Sequence, residues 1–152
     1  NHPLLRALRA DKFTMTAIEE VLKCYLDQKE AVQKIPTLRM LTRPVEKIKE
    51  KAMVCADRWK QEGASVQIQV EKCISKAGGG ALPETEIPSY GVALESTEIT
   101  VEELESRMRN LSVPVIGRIK EGRFLLDMRT FSEEGIEYLA TQIRHIMERK
   151  HN

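Results

Sequence analysis

Three consecutive glycines, Gly78, Gly79 and Gly80, constrain this chain more than any other feature, and two prolines follow them within eight residues. Glycine loses more backbone freedom on folding than any other residue, so such a run weakens both helices and strands. Alternating apolar runs lie before and after it, at Val66–Val70 and Tyr90–Leu94. The pattern predicts an irregular loop between two strands, which either borders a ligand site or simply connects the strands.

The overall composition is that of one globular domain, or of one domain with an arm. The chain has 152 residues, of which 41% are hydrophobic and 31% are charged. No apolar run approaches the roughly 20 residues of a membrane helix, and no secretory leader is visible. Three cysteines without paired spacing favour a reducing compartment, so we expect a cytoplasmic protein without a membrane partner. The three scattered histidines show no ligand spacing, and no metal site is predicted.

The charge is unevenly distributed along the chain. Residues 1–60 carry 13 Lys and Arg against 8 Asp and Glu, a balance of +5. Residues 61–152 carry 11 against 15, a balance of −4. The front of the chain can therefore attract an anionic partner, although this asymmetry is too small to indicate nucleic acid by itself.

Helical and alternating patterns predict an α+β fold. Ser65–Lys72 and the Tyr90–Leu94 run alternate as strands, and two further strands flank Lys120–Gly122 as a hairpin. Thr100 begins a capping box, Ser132 caps a last helix, and two earlier helices cover 13–27 and 44–61. Between those two helices, 35–44 reads as an irregular connector, with Thr42 as the cap of the second helix. We expect a two-layer sandwich with a small, mostly antiparallel sheet of about four strands and helices on one face.

Arginines near unusual backbone are the strongest candidates for binding. Arg6 and Arg9 are three residues apart, so they share one face if this turn is helical. Two guanidinium forks on one face suit a phosphate or another oxyanion, whereas the alternative is an ordinary solvated face. Arg129 follows the last strand, where an arginine either points into a cleft or forms an ion pair.

Four stretches together resemble one family. The chain is similar, along its whole length and in the same order, to the C-terminal part of the bacterial selenocysteine synthases, the L-seryl-tRNA(Sec) selenium transferases. The stretches that carry the resemblance are Pro3–Lys12, Ile35–Thr42, Gly78–Pro83 and Pro114–Thr130.

The resemblance implies a pyridoxal-phosphate enzyme of the aspartate-aminotransferase fold type, assembled as a homo-oligomeric ring of dimers. Serine carried on its tRNA loses water, and selenium from selenophosphate is added to give selenocysteyl-tRNA, with the cofactor as the electron sink. The family's cofactor lysine lies in an Asp-Lys-Leu-Leu-Gly-Gly run that this sequence lacks. We therefore expect residues 13–152 to be the small C-terminal domain and 1–12 to be an active-site arm. This piece should be inactive alone, and its arm should lack order without the large domain.

Site residues follow from the resemblance. Arg6 and Arg9 match arginines that face the active site and suit the phosphate of the selenium donor, and Lys12 matches a further family lysine. Arg129 stands where related enzymes bind a substrate α-carboxylate, although here that carboxyl is esterified to tRNA. The three-glycine loop is expected to border the mouth of the active site, where Ala81 replaces a serine of the family.

Two other functions remain open from the sequence. A related lyase could act on a free amino acid or sugar acid, but such relatives lack the run from Arg6 to Lys12. A non-catalytic module could instead bind RNA or protein. The charge split and the aromatic content of 5% disfavour an RNA-stacking platform.

Overall fold

The computed structural model describes residues 4, 8–62, 65–77 and 85–148. The chain divides into two compact units, Asn1–Thr42 and Arg43–Asn152. The expected boundary at residue 12 stays a prediction, as does the order of the arm, half of which lies outside the described residues. None of the helices within the described ranges is long and apolar enough to span a bilayer.

Three helices lie within residues 8–42 of the first unit: α1 (Lys12–Cys24), α2 (Gln28–Lys34) and α3 (Pro36–Thr42). Asp27 caps α2 by accepting hydrogen bonds from the backbone of the next turn, with Lys29 N at 2.7 Å. The prediction of an irregular connector over 35–44 is wrong. Pro36 is the first residue of α3, a position at which proline's missing N–H breaks no helical bond.

The apolar stripe of α1 is present but uncovered within the described part of its unit. Ile18, Val21 and Leu22 form this stripe, and each is about half exposed or more: Ile18 is 48% exposed and Leu22 is 59% exposed. Phe13 is 89% exposed and lies on the opposite side of the helix from this stripe, because each residue turns an α-helix by 100°. Ala31 of α2 is the one buried apolar residue among those described in this unit.

The described part of the second unit contains three helices and four strands. The helices are α4 (Val45–Lys60), α5 (Val101–Arg109) and α6 (Glu133–Glu148). The strands are β1 (Gln67–Lys76), β2 (Glu86–Glu95), β3 (Arg118–Lys120) and β4 (Arg123–Asp127). They pair in the order β1-β2-β4-β3, and every pair is antiparallel.

One face of the sheet packs against the helices, and this confirms the predicted two-layer α+β sandwich. Strand residues Ile68, Val92 and Leu126 join the helix residues Trp59 and Leu139 in one buried cluster. The other face carries Cys73, Ala93 and Leu125 as a smaller apolar patch among polar side chains. Alternation along each strand therefore separates a core face from an open face.

Several local predictions are confirmed in this unit. Thr100 caps α5, with its Oγ1 accepting from Glu103 N at 3.2 Å, and Ser132 Oγ accepts from Gly135 N at 3.0 Å. The β3–β4 hairpin turns at Glu121 and Gly122, whose φ angles are 51° and 75°. Glycine adopts this left-handed geometry without a steric cost.

Other boundaries were predicted wrongly. Pro44 rather than Thr42 precedes α4, and Thr42 Oγ1 instead donates to Leu38 O at 2.8 Å. β1 and β2 are each ten residues long, longer than predicted, because they pair as a continuous ribbon beyond the end of β4. Pro88 is tolerated within β2 because β4 pairs only from Gly91 onward, so the missing N–H removes no bond from that side.

Candidate functional site

The predicted site residues are divided between the two units. Arg9 lies in exposed coil and Lys12 is the exposed first residue of α1, both in the first unit. Arg129 belongs to the second unit and is 5% exposed. Arg6, Gly78, Gly79 and Gly80 lie outside the described residues. Their predicted roles, like those of Arg9, Lys12 and Arg129, stay predictions.

The start of α1 presents two cations beside a carboxylate that is already engaged. Asp11 accepts from Thr14 N at 3.0 Å and from Thr14 Oγ1 at 2.8 Å. The backbone bond from Thr14, followed by its side-chain bond, lowers the pKa of Asp11. Within the described part of the chain, no carboxylate lies within 4 Å of the Arg9 or Lys12 side chain. This turn can therefore offer two cationic groups to an anion.

A polar cluster lies on the open face where β1 ends, β2 begins and β4 ends. We call Ser75, Ser89, Asp127 and Arg129 the strand-end cluster. Asp127 Oδ2 accepts from Ser75 Oγ at 2.5 Å, and its Oδ1 accepts from Ser89 Oγ at 2.7 Å and from Arg129 N at 3.1 Å. Both serines are buried. One carboxylate therefore ties three strand ends together.

The guanidinium of Arg129 extends this cluster to two backbone carbonyls. Nη2 donates to Pro88 O at 2.6 Å, and Nη1 donates to Arg43 O at 3.1 Å. Burial lowers the pKa of Arg129, although the nearby Asp127 carboxylate opposes that shift. Pro88 is in β2 and Arg43 begins the second unit, so Arg129 joins these two segments.

The open-face cysteine beside this cluster is a poor nucleophile. Burial raises the pKa of Cys73, Asp127 raises it further, and the nearby Arg118 only partly compensates. A thiol reacts as its thiolate, so a raised pKa keeps Cys73 in the unreactive form. In the described ranges, no group of three or more His, Cys, Asp or Glu residues is arranged to bind a metal ion.

The geometry indicates a supporting role for the strand-end cluster. Ser75 precedes, and Ser89 follows, the segment that contains the three glycines, and Asp127 binds both. A carboxylate that already accepts three hydrogen bonds is suited to holding backbone in place, and less suited to taking a proton from a substrate. No sequence motif predicted Ser75, Ser89 or Asp127 as site residues. The sequence signal for the two serines is that small polar residues flank the glycine loop on both sides, within strands whose other face is apolar.

The described lysines do not fit a covalent pyridoxal-phosphate site. A cofactor lysine needs a free amine in a cleft, with its pKa lowered by its surroundings. Lys51 has a pKa lowered by burial, but its Nζ donates to Phe131 O and lies 3.5 Å from Glu133 Oε1. The remaining described lysines are exposed. None of the described lysines is therefore placed to hold the cofactor covalently.

Comparison with known proteins gives one consistent result. Residues 1–132 match the family model described as L-seryl-tRNA selenium transferase. A protein of Geobacter metallireducens named L-seryl-tRNA(Sec) selenium transferase is 42% identical over 143 residues, which are 93% of this chain and 31% of the relative. Proteins of the same name from Alkaliphilus oremlandii and Clostridium perfringens are 37% and 36% identical, over 97% and 96% of this chain.

The chain thus spans about a third of the length of these curated relatives, 31% to 32% in the three cases. The family match covers both units, from the start of the first unit through the strand-end cluster to Ser132. With a match over most of its length, the chain belongs to the L-seryl-tRNA selenium transferase family.

Proposed function

We propose that this chain is the C-terminal domain of an enzyme that converts seryl-tRNA(Sec) to selenocysteyl-tRNA(Sec) with selenophosphate as selenium donor. The observation that carries the proposal is the match to relatives of that name over 93% to 97% of the chain. The two-layer α+β domain is consistent with a small C-terminal domain of that family. Taken alone, the chain is expected to be inactive.

The first unit is proposed to bind the phosphate of the selenium donor. Arg9 and Lys12 lie close together in sequence, both are exposed, and Asp11 beside them is engaged by Thr14. Arg6 is placed in the same site by sequence alone. Arginine offers a planar fork that matches two phosphate oxygens, and lysine adds a point charge. Their contribution is to bind and orient the donor.

The second unit is proposed to support the loop that contains Gly78, Gly79 and Gly80 at the active-site mouth. Asp127 binds the serines on both sides of that loop, and Arg129 binds Pro88 O beyond it. Fixing a glycine-rich loop at both ends lowers the entropy that it would lose on contacting substrate. Whether Arg129 also meets a substrate carboxylate stays a prediction.

The rest of the proposal concerns the whole enzyme. Pyridoxal phosphate is proposed to be held by a lysine outside this chain, where it would supply the electron sink for loss of water from serine. A homo-oligomeric assembly in the cytoplasm, built as a ring of dimers, completes the proposal.

Steady-state kinetics of the full-length enzyme test the donor site. Arg9→Ala is expected to raise the KM for selenophosphate about 10- to 100-fold, because a hydrogen bond to a charged group contributes about 1.5–3 kcal/mol. The KM of Arg9→Lys should lie between those of the wild type and Arg9→Ala, since lysine keeps the positive charge but lacks the guanidinium fork. Arg109→Ala, which removes an exposed arginine paired with Glu105, is the matched control and should leave KM unchanged.

Two outcomes of this experiment separate the site from the function. Turnover with a wild-type KM in Arg9→Ala would remove Arg9 from the donor site and leave the activity in place. Failure of the wild-type enzyme to use selenophosphate with seryl-tRNA, together with turnover of a free amino acid or sugar acid, would replace the transferase by the related lyase.

A further inference from the structure

Three cationic residues lie together where α4 begins and where the chain leaves β4. Arg43 precedes α4, Lys51 belongs to α4, and Arg129 lies between β4 and α6. Arg129 Nη1 donates to Arg43 O at 3.1 Å, and Lys51 Nζ donates to Phe131 O, two residues after Arg129. The short connector between β4 and α6 therefore brings the three residues together. We call Arg43, Lys51 and Arg129 the cation cluster.

Two members of the cation cluster already direct their donors at the protein itself. Arg129 is 5% exposed, and its Nη2 also donates to Pro88 O at 2.6 Å. The Lys51 side chain is 9% exposed, and its Nζ also lies 3.5 Å from Glu133 Oε1. These two cations are therefore poorly placed to meet a group that arrives from outside the domain.

Arg43 differs, because it meets Arg129 through its backbone carbonyl and not through its guanidinium. Arg43 is partly buried. Among the residues that the structure describes, no carboxylate lies within 4 Å of the Arg43 guanidinium. A guanidinium presents a planar fork of donors that matches two oxygens of a carboxylate or of a phosphate. Arg43 is therefore the member of the cation cluster that suits an incoming oxyanion.

The charge balance around the cation cluster also favours an added anion. Asp127 acts on Arg129 and Glu133 acts on Lys51, and Asp127 already accepts three hydrogen bonds. Burial lowers the pKa of Lys51 and the pKa of Arg129, and the positive charge of Arg43 lowers both further. Like charges held near one another repel, so an anion bound to Arg43 would relieve this repulsion.

We propose that Arg43 binds an oxyanion group, a phosphate or a carboxylate, through its guanidinium fork, and that Arg129 and Lys51 are positioning residues for it. Arg129 fixes the Arg43 backbone, and Lys51 fixes the connector that carries Arg129. This site goes beyond the proposed function, which places the donor phosphate at Arg9 and Lys12. Because the Arg129 guanidinium is already bound to two carbonyls, Arg43 is the better placed of the two arginines to contact an anionic ligand.

Labelling of the full-length enzyme with the arginine reagent phenylglyoxal, read by peptide mass spectrometry, tests this assignment at single residues. Arg43 should react, and inorganic phosphate or acetate should slow its reaction relative to potassium chloride of equal ionic strength. Half-maximal protection is expected at a concentration on the order of 1 mM. Exposed Arg109, which pairs with Glu105, should show no such protection, and Arg129 should stay unlabelled because it is buried. Protection by phosphate but not by acetate would identify a phosphoryl ligand, and protection by acetate would identify a carboxylate.

Calorimetric titration with the protecting anion, inorganic phosphate or acetate, measures how much the fork contributes to binding. The full-length enzyme would carry Arg9→Ala, so that the proposed donor site does not compete for the anion. In this background, Arg43→Gln should raise the Kd about 10- to 100-fold, because hydrogen bonds from a charged group are lost. Arg109→Gln removes the same charge from an exposed position of the same unit and should leave the Kd unchanged. Arg43→Gln keeps the backbone carbonyl that accepts from Arg129, so its melting temperature should stay near the wild-type value.

Three results would overturn the Arg43 site. The first is labelling of Arg43 at the same rate with and without both anions. The second is an Arg43 that never reacts, because another part of the enzyme would then occupy its guanidinium. The third is loss of protection at Arg43 in Arg9→Ala, which would assign the bound anion to the donor site. Protection of Arg43 in an enzyme that transfers no selenium would leave this site in place and would count against the proposed function alone.

Discussion

Removing the Asp127 carboxylate should destabilise the second unit more than any other single polar change described here. Asp127→Ala leaves the hydroxyls of Ser75 and Ser89 and the backbone N–H of Arg129 without their acceptor. The two serines are 6% and 2% exposed, so water replaces the lost bonds poorly. A buried donor left without an acceptor costs about 1–3 kcal/mol. Three such donors, allowing for partial relaxation, give a loss of about 4 kcal/mol.

For smaller changes at the same site, the loss in free energy of unfolding should scale with the number of hydrogen bonds removed. Ser75→Ala and Ser89→Ala each remove one bond and should cost about 1 kcal/mol. Asp127→Asn should cost about 1–2 kcal/mol, because the amide oxygen keeps two donors and the Ser75 hydroxyl can rotate to accept from the amide. Combining either serine change with Asp127→Ala should add little, and the double-mutant cycle should give a coupling of about 1 kcal/mol.

Urea unfolding followed by the fluorescence of Trp59 measures these free energies. Trp59 is the single tryptophan of this chain and is fully buried in the second unit. Amide exchange should also quicken next to the loop in Asp127→Ala, at Ser75, Lys76, Glu86, Ile87 and Ser89. A cost below about 1 kcal/mol for Asp127→Ala, or full additivity with the serine changes, would refute the three-strand role of this carboxylate.

Two other changes test packing and electrostatics. Gly91→Ala should lower the free energy of unfolding by about 1–3 kcal/mol through overpacking, because its Cβ would lie 2.7 Å from Leu125 Cδ1. Thermal unfolding should show this loss as a lower melting temperature. Gly135→Ala, in α6, is the comparison and should cost less than Gly91→Ala, because its Cβ would meet only side-chain atoms, with Phe131 Cε1 at 3.2 Å, whereas the Cβ of Gly91→Ala would also lie 2.8 Å from Leu126 O. Burial lowers the pKa of Lys51 in the folded chain below its value of 10.5 in the unfolded chain. At a pH between these two pKa values, the unfolded chain keeps a proton that the folded chain has lost. The free energy of unfolding should rise with pH through that window, and Lys51→Met should flatten the rise in urea titrations at pH 7 to 10.5.

Sequence patterns that depend on residues close together in the chain predicted much of the fold. The alternation of Val66, Ile68 and Val70 identified the core face of β1, since that side of the sheet packs against the helices. The capping box at Thr100 and the cap at Ser132 marked helix starts correctly, because a cap depends only on residues within one turn.

Features set by distant contacts could not be predicted in the same way. The length of β1 depends on its pairing with β2 across the intervening loop, and Lys72 to Lys76 alone gave too little hydrophobic signal for a strand. Asp127 looked like an ordinary strand-end acid, and only the register shows that it meets both Ser75 and Ser89. The prolines at 36 and 44 are typical of a connector, but Pro36 is instead the first residue of α3, a position that proline tolerates.

The most direct test of the proposed function is to identify the amino acid on the tRNA after reaction. The full-length enzyme, seryl-tRNA(Sec) and selenophosphate would be incubated together, and the amino acid released from the tRNA would be identified by mass spectrometry. The proposal predicts selenocysteine in place of serine, and no conversion by this chain alone. Serine remaining on the tRNA, with an enzyme that is folded, loaded with its cofactor and bound to that tRNA, would contradict it.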